Sequence, residues 1–442
     1  MTRVHRSMLV VLVIAGAAAV AAPAVWRTGS AGRVEASPSA PVTARGTGPE
    51  ELADGISAYR ARLSASPSDH GAAVALADLL MRKSRVDSDA SLAIEAERIV
   101  RAALEKDPGN YHATRMLASV LLAQHRFADA LPVAERARAV HPEDAWNHGT
   151  SGDAWMELGD YDKAFDAFDR MVRTRPDASS YARVAYAREK QGDLDGALRT
   201  LRMSAEATGP TDRESLSWHA SQAGNLLLRQ GKLDDAEREF RRAEHLFAGH
   251  PYARAGQARL LVARGSLREA LVIVEEDLRK AATPELAAWA GDLCARLGNA
   301  ACAAERYAEM ERLERSGWES EEPQPAALGR MLAERSLKAP EALALAERAA
   351  ASRNDIFTMD AVAWAAFRAG DLKRASEAAT AAMRTGTRDQ RILAHAAAIA
   401  LATGDRARAR TLAAQALDGG VFDLIAFDEA GKVLKAAGAA KE

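Results

Sequence analysis

The sequence predicts an all-α solenoid of stacked helix-turn-helix units, and three observations predict it. A unit of about 34 residues recurs from near Asp69 to near Gly420, most clearly in Ala145–Ala178, AWNHGTSGDAWMELGDYDKAFDAFDRMVRTRPDA. Its copies share one phase at their turns, where Gly159, Gly192, Gly231, Gly265, Gly298, Gly370 and Gly404 fall at matching positions. The same phase aligns Ala130, Ala164, Ala197, Ala236, Ala270, Ala303, Ala375 and Ala409, and matches Pro108 and Pro142 to Pro176. Units of this kind stack on their neighbours, and the surfaces they build usually bind other proteins.

The elements follow in order. Arg3, His5 and Arg6 precede an uncharged run from Ser7 to Trp26. A basic start, an apolar middle and the small residues Ala22-Pro23-Ala24 make 1–26 a signal peptide or, uncleaved, an N-terminal membrane anchor. Residues 27–49 are rich in Ser, Pro, Gly, Thr and Ala, too poor in apolar groups to order, and read as a disordered linker. Residues 50–64 form a solitary helix. The first copy pairs His70–Arg82 with Leu92–Glu105 across a longer loop, Lys83–Ser91.

In the reference copy His148–Glu157 forms a first helix closed by Gly159. Asp160 is expected to cap the second helix, which carries Ala164, Phe168 and Met171 on one face and stops before Pro176. Gly152 and Ala164 allow close approach of the two helices, with Trp155 and Phe168 filling the space beside them. The N-terminal array therefore covers 50–313. The phase breaks at 314–325, an acidic, Pro-containing connector. A C-terminal array covers 326–437; its first copy, 326–352, is degenerate, with Pro340 between its helices. A closing helix over Asp423–Ala437 turns Leu424, Phe427 and Leu434 back and Glu429, Lys432 and Lys435 outward.

The spacing and residue set resemble the tetratricopeptide repeat, TPR, over most of the chain. The resemblance implies a right-handed α-α superhelix and no particular activity. The C-terminal stretch DIFTMDAVAWAAFRAGDLKRASEAATAAMRTGTRD, with ILAHAAAIALATGD after it, is similar to exported bacterial TPR proteins. In this family the first helix of each unit lines a concave groove, through its second, fifth, ninth, twelfth and thirteenth positions. Carried over, these give one patch of Trp146, Asp153, Met156, Tyr186, Trp218, Asn225, Arg229, Tyr252 and Arg259. A second comprises Phe357, Asp360, Trp364, Phe367, Arg368 and Arg391, with His395 beside them. Aromatic residues, Met and Arg are enriched at binding surfaces. Some relatives grip a C-terminal carboxylate with an Asn and several Lys or Arg. Asn225 fits that Asn position, but the expected lysine is Ser221, so this specificity is not implied.

Composition narrows the function. Hydrophobic residues make up 48% and charged residues 27%, and the net charge is -2. That balance argues against nucleic acid, whose binders carry a basic excess. The membrane enters only through the N-terminal segment. Cys294 and Cys302 stand with seven residues between them; a disulfide and a pair of buried thiols both remain open. Two Cys without supporting His are not a zinc site, and no metal or cofactor is expected. HExxH, GxSxG and CxxC are absent. Gly224–Lys232 resembles a phosphate loop only with two extra residues, and Leu233 replaces the Ser or Thr. His141, His245 and His250 fall near repeat ends and read as surface groups. Asp360 and His395 sit on consecutive first helices, as an inter-repeat hydrogen bond or an acid-base pair lacking a nucleophile.

The leading expectation is a non-catalytic scaffold of the cell envelope, or secreted, binding peptide or protein partners in its groove. A transient assembly or folding helper for exported proteins is the first alternative. A small-molecule receptor or enzyme at the Asp360/His395 patch is the second.

Overall fold

A computed structural model describes residues 49–317 and 325–438. The segments expected as a signal peptide or anchor (1–26) and as a linker (27–48 of its span), and most of the expected connector, lie outside the described residues. Every regular element described is an α-helix. Helix α1 (Pro49–Ala65) stands alone, and ten pairs follow. Unit 1 is α2 (His70–Asp87) with α3 (Ser91–Lys106), unit 2 α4 (Tyr111–Ala123) with α5 (Phe127–Val140), and unit 3 α6 (Ala145–Leu158) with α7 (Tyr161–Thr174). Unit 4 is α8 (Ala178–Lys190) with α9 (Leu194–Glu206), unit 5 α10 (Arg213–Arg229) with α11 (Leu233–Leu246), and unit 6 α12 (Pro251–Ala263) with α13 (Leu267–Lys280). Unit 7 is α14 (Pro284–Arg296) with α15 (Ala300–Gly317), and unit 8 α16 (Pro325–Glu334) with α17 (Ala339–Ala350). Unit 9 is α18 (Ile356–Arg368) with α19 (Leu372–Ala382), and unit 10 α20 (Gln390–Ala402) with α21 (Arg406–Leu417). Helix α22 (Leu424–Gly438) closes the array.

Local chemistry explains the punctuation. Gly159 adopts φ 88° at the end of α6, a left-handed conformation that glycine accepts without steric cost. The aligned glycines do the same, and where glycine is missing Ser88 (φ 52°), His125 (φ 61°) and Ser336 (φ 57°) take the same turn. Asp193, Asp371 and Asp405 accept first-turn amides as caps. Asp160 does not: its carboxylate engages Lys163 instead.

Several expected boundaries move. The loop of unit 1 is shorter, because α2 continues to Asp87, with a Lys83–Asp87 ion pair one turn apart at 2.7 Å. Pro340 lies in the first turn of α17, where its missing N–H has no helical partner to lose. Helix α15 runs through Glu314 to Gly317, into the expected connector. Helix α22 buries Ala426, Ala430 and Val433. Leu424 and Leu434 pack partly against the core, and Lys432 and Lys435 are exposed while Glu429 is half-buried.

Pairs close up through small residues facing large ones. A Cβ on Gly152 would stand 2.5 Å from the Phe168 ring, so only glycine lets α6 meet α7 there. Phe168 is 1% exposed, whereas Trp155 is half-buried. Consecutive first helices also touch one another, among them α2 and α4, α4 and α6, α10 and α12, and α16, α18, α20 and α22. They therefore form the inner, shorter side of the curve.

The curve winds until later units rest on earlier ones. The α6–α7 turn of unit 3 meets the loop that opens unit 9. Asn354 N donates to Leu158 O at 3.2 Å, and Ile356 N to Tyr161 Oη at 2.8 Å. The turn of unit 4 meets the loop before α20, where a Cβ on Gly192 would lie 2.5 Å from Gly386 O. The end of α10 meets the loop before α22, since a Cβ on Gly419 would strike Arg229 O. Met156, Tyr186, Ile356 and Ile392 share one apolar cluster across this junction. Among the described residues no helix is long and apolar enough to cross a membrane.

Cys294 of α14 and Cys302 of α15 form a disulfide, with Cα atoms 5.8 Å apart, inside the usual span. Of the two states open to these cysteines, the structure carries the bridged one. Closing so short a loop contributes on the order of 2 kcal/mol. Reduction, or Cys302→Ala, is expected to lower the thermal midpoint by several degrees, read by far-UV circular dichroism. An unchanged midpoint would show that the bridge adds nothing to stability.

Candidate ligand-binding inner face

The residues assigned to the groove stand on the first helices, and most are already engaged by the chain. Trp146 lies under two guanidinium groups, Arg115 at 5.1 Å and Arg183 at 5.8 Å. Asp153 pairs with Arg183 at 2.7 Å, yet burial pushes its carboxyl above the ordinary range. Met156 is in the apolar core. Tyr186 donates its hydroxyl to Glu157 at 3.0 Å. Trp218 packs in the core of units 4–6, edge-on to His219. Arg229 pairs with Glu189 at 2.6 Å. Asn225, Tyr252 and Arg259 are half-buried.

The second patch forms a tighter knot. His395 Nδ1 lies 2.9 Å from Asp360 Oδ1, and Arg391 reaches the other carboxylate oxygen at 3.3 Å. Trp364 stacks on His395, with ring centroids 4.1 Å apart, and on Phe367 at 5.0 Å. Asp360, Trp364 and His395 are at most 2% exposed. The contact between the buried Asp360 and His395 joins units 9 and 10. Arg368 is exposed and bonds Ser336.

The two patches are neighbours across the superhelical turn. Lys190, at the end of α8, places its ammonium 4.5 Å from the Tyr186 ring and 4.4 Å from the Phe357 ring of unit 9. Arg353 joins Glu157 at 3.5 Å. Burial raises the Glu157 carboxyl, with Arg353 pulling the other way. His250 corrects an expectation: it is fully buried, with Nε2 3.3 Å from Glu214. His141 and His245 are exposed.

Unit 7 supplies residues that the sequence reading passed over. Counted from Pro284, the second and ninth positions are Glu285 and Asp292, so the same register finds them when carried one unit further. They line a cavity of about 230 Å³ with Arg259, Trp289, Arg330, Glu334, Arg335 and Phe422–Ile425, where the chain enters α22. Burial raises Asp292 to about 6, against the pull of Arg335 at 2.6 Å. Burial opposes the charge of Glu334 too, but Arg330, Arg391 and Arg335 hold its carboxyl near 2. Burial raises Glu285 to about 7 and lowers the Arg259 guanidinium. Among the described residues no cluster of three or more His, Cys, Asp or Glu is placed to hold a metal ion.

A solenoid of paired helices, with a continuous inner face on the first helix of each pair, defines a class of repeat proteins. The tetratricopeptide-repeat family model matches residues 94–145, 115–180, 150–212 and 221–285. Over those residues the chain carries tetratricopeptide repeats. Over 99 residues it is 39% identical to tetratricopeptide repeat protein 36 of Homo sapiens, covering 22% of this chain and 51% of that protein. The chain thus spans about half the length of the curated relatives it matches. Among solved structures, the APC/C hetero-tetramer Cut9–Hcn1 aligns with 89% of this chain and 60% of its own at 13% identity, TM-score 0.47. Yeast Tom70 aligns with 88% and 85% at 13% identity, TM-score 0.38.

Proposed function

We propose that this chain is a non-catalytic interaction scaffold of the cell envelope, holding an extended segment of a partner protein on its inner face. The observation that carries the reading is a pair of inward groups left without partners. Trp146 Nε1 and Asn225 Oδ1 are shielded from solvent and make no hydrogen bond among the described residues. A buried donor or acceptor left unmade costs about 1–3 kcal/mol, and a peptide backbone offers the complement of each. The narrow, closed winding favours an extended segment over a folded domain. The extracytoplasmic address is supported by the basic-then-apolar sequence before residue 27 and by the disulfide, which persists in oxidising compartments.

The test is crosslinked capture from an envelope extract, read by mass spectrometry. Trp146→Ala with Asn225→Ala is expected to lose the proteins that the unaltered chain recovers, while helicity is kept. Trp218 is a poorer probe, because its ring belongs to the core. Retention of the same proteins by the double variant would count against the inner face.

A further inference from the structure

The turn glycines share one backbone conformation but not one environment. At Gly265, Gly298, Gly370 and Gly404 an added Cβ would meet nothing within 4 Å. At Gly159 it would stand 2.6 Å from Asp355 N, at Gly192 2.5 Å from Gly386 O, and at Gly231 3.4 Å from Gly419 O. These three occupied turns belong to units 3, 4 and 5 in succession. Each meets the loop that opens a later first helix, α18, α20 and α22 in the same order. Both edges of the contact therefore advance by one unit at a time, and the three contacts form one continuous seam.

The seam mixes apolar and charged groups. Its apolar cluster joins Met156 and Tyr186 to Ile356 and Ile392. Beside it Glu157 meets Arg353 at 3.5 Å, and the Lys190 ammonium is held between the rings of Tyr186 and Phe357. Arg384, an exposed residue just after α19, straps the outer edge. It donates to Gly159 O at 3.2 Å and to Asn354 Oδ1 at 2.7 Å, with its guanidinium 4.8 Å from the Tyr161 ring. Permanent interfaces are apolar through their centre, whereas contacts between parts of a chain that move apart retain such charges. In a solenoid each unit leans on its neighbours, so small rotations at the steps between units 5 and 9 add up at the seam. We propose that the seam is a clasp, along which units 3–5 part together from units 9 and 10 and from α22. Opening turns Tyr186, Lys190 and Phe357, now packed on one another, toward solvent. It also gives the inner face a side entrance, so that a segment of the kind proposed above need not be threaded from one end.

The clasp goes beyond the scaffold reading, and its test needs no partner protein. Asn354 N and Ile356 N donate across the seam, so their exchange with deuterium reports its opening. In the full chain, peptides covering residues 352–358 are compared by mass spectrometry with the interior of α18 around Ala363 and Ala365. The seam amides are expected to be protected, yet to exchange at least about tenfold faster than the helix interior. Their exchange should also depend more weakly on urea than global unfolding does, because less surface is exposed. One shared rate and one shared urea dependence overturn the clasp, since the seam then parts only when the chain unfolds. Absent protection of the seam amides overturns it as well. Two variants separate a clasp from fraying of the loop alone. Gly192→Ala sets a Cβ against Gly386 O, one unit away from Asn354, whereas Gly265→Ala sets it in open space. The two glycines have φ 79° and 81°, so the strain within the turn is matched. Only Gly192→Ala is expected to speed exchange at 352–358, by about tenfold, and to raise the radius of gyration in X-ray scattering. Arg384→Ala, at an exposed position that leaves the helices intact, is expected to raise the radius likewise. An unchanged radius in Arg384→Ala, or equal exchange and scattering in the two folded glycine variants, overturns the clasp.

Discussion

Phe240→Ala is expected to lower stability by about 3–5 kcal/mol, the upper range for emptying a buried aromatic site. Phe240 of α11 is 1% exposed and sits between two first helices. A Cβ on Gly224 of α10 would lie 2.5 Å from its ring, and one on Gly256 of α12 would lie 2.1 Å away. One ring therefore fills the contact within unit 5 and the contact from unit 5 to unit 6. Each unit is stabilised through its neighbours, so loss of this ring weakens an internal interface and a link in the array at once. The urea midpoint should fall, and the transition should broaden or split as the two sides unfold apart. A loss below about 1 kcal/mol, typical of surface positions, would show that the surrounding helices collapse onto the site.

Phe240 is also an instance of what the sequence makes legible. It stands one turn of helix after Ala236, in phase with Phe168 after Ala164. The spacing of turn glycines, alanines and large residues is local, and its aligned alanines mark units 2–7, 9 and 10, while units 1 and 8 lack one. Departures were local too. Asp160 occupies a cap position but meets Lys163 within one turn, and α2 outlasts its expected end through the Lys83–Asp87 pair. What spacing could not carry was the pitch of the superhelix. The Tyr161–Ile356 bond joins residues 195 positions apart, and no local pattern marks it. The candidate inner residues all stand on first helices, but whether they face open solvent depends on that pitch. His250 shows the same limit: its place at a repeat end suggests exposure, and Glu214 from the preceding unit buries it. Glu285 and Asp292 were within reach, because they occupy the same register positions as Trp146 and Asp153.

Removal of Glu214 is expected to have a comparable effect at a long-range junction. Glu214 is fully buried at the start of α10. It receives Arg85, from the end of α2, at 2.6 Å and His250, at the cap of α12, at 3.3 Å. Nearby, Arg82 reaches Asp212 at 3.4 Å. Unit 1 is thereby tied to unit 5 through charges held out of water. Taking one partner from a buried pair costs about 3–5 kcal/mol, because the other charge is left behind. Glu214→Ala should lower the urea midpoint accordingly and increase the radius of gyration in X-ray scattering as unit 1 swings away. Glu214→Gln keeps an acceptor for Arg85 and should recover part of the loss. The pH dependence has a definite sign. Burial alone would raise this carboxyl, but Arg85 and His250 overcome it and hold Glu214 well below the ordinary range. Its contribution is then complete above about pH 4.3, the ordinary glutamate value, and is withdrawn as pH falls below it. The stability gap between the unaltered chain and Glu214→Gln should narrow in acid. A gap that stays constant, with unchanged scattering, would mean that the junction is held by the apolar contacts around it rather than by this ion pair.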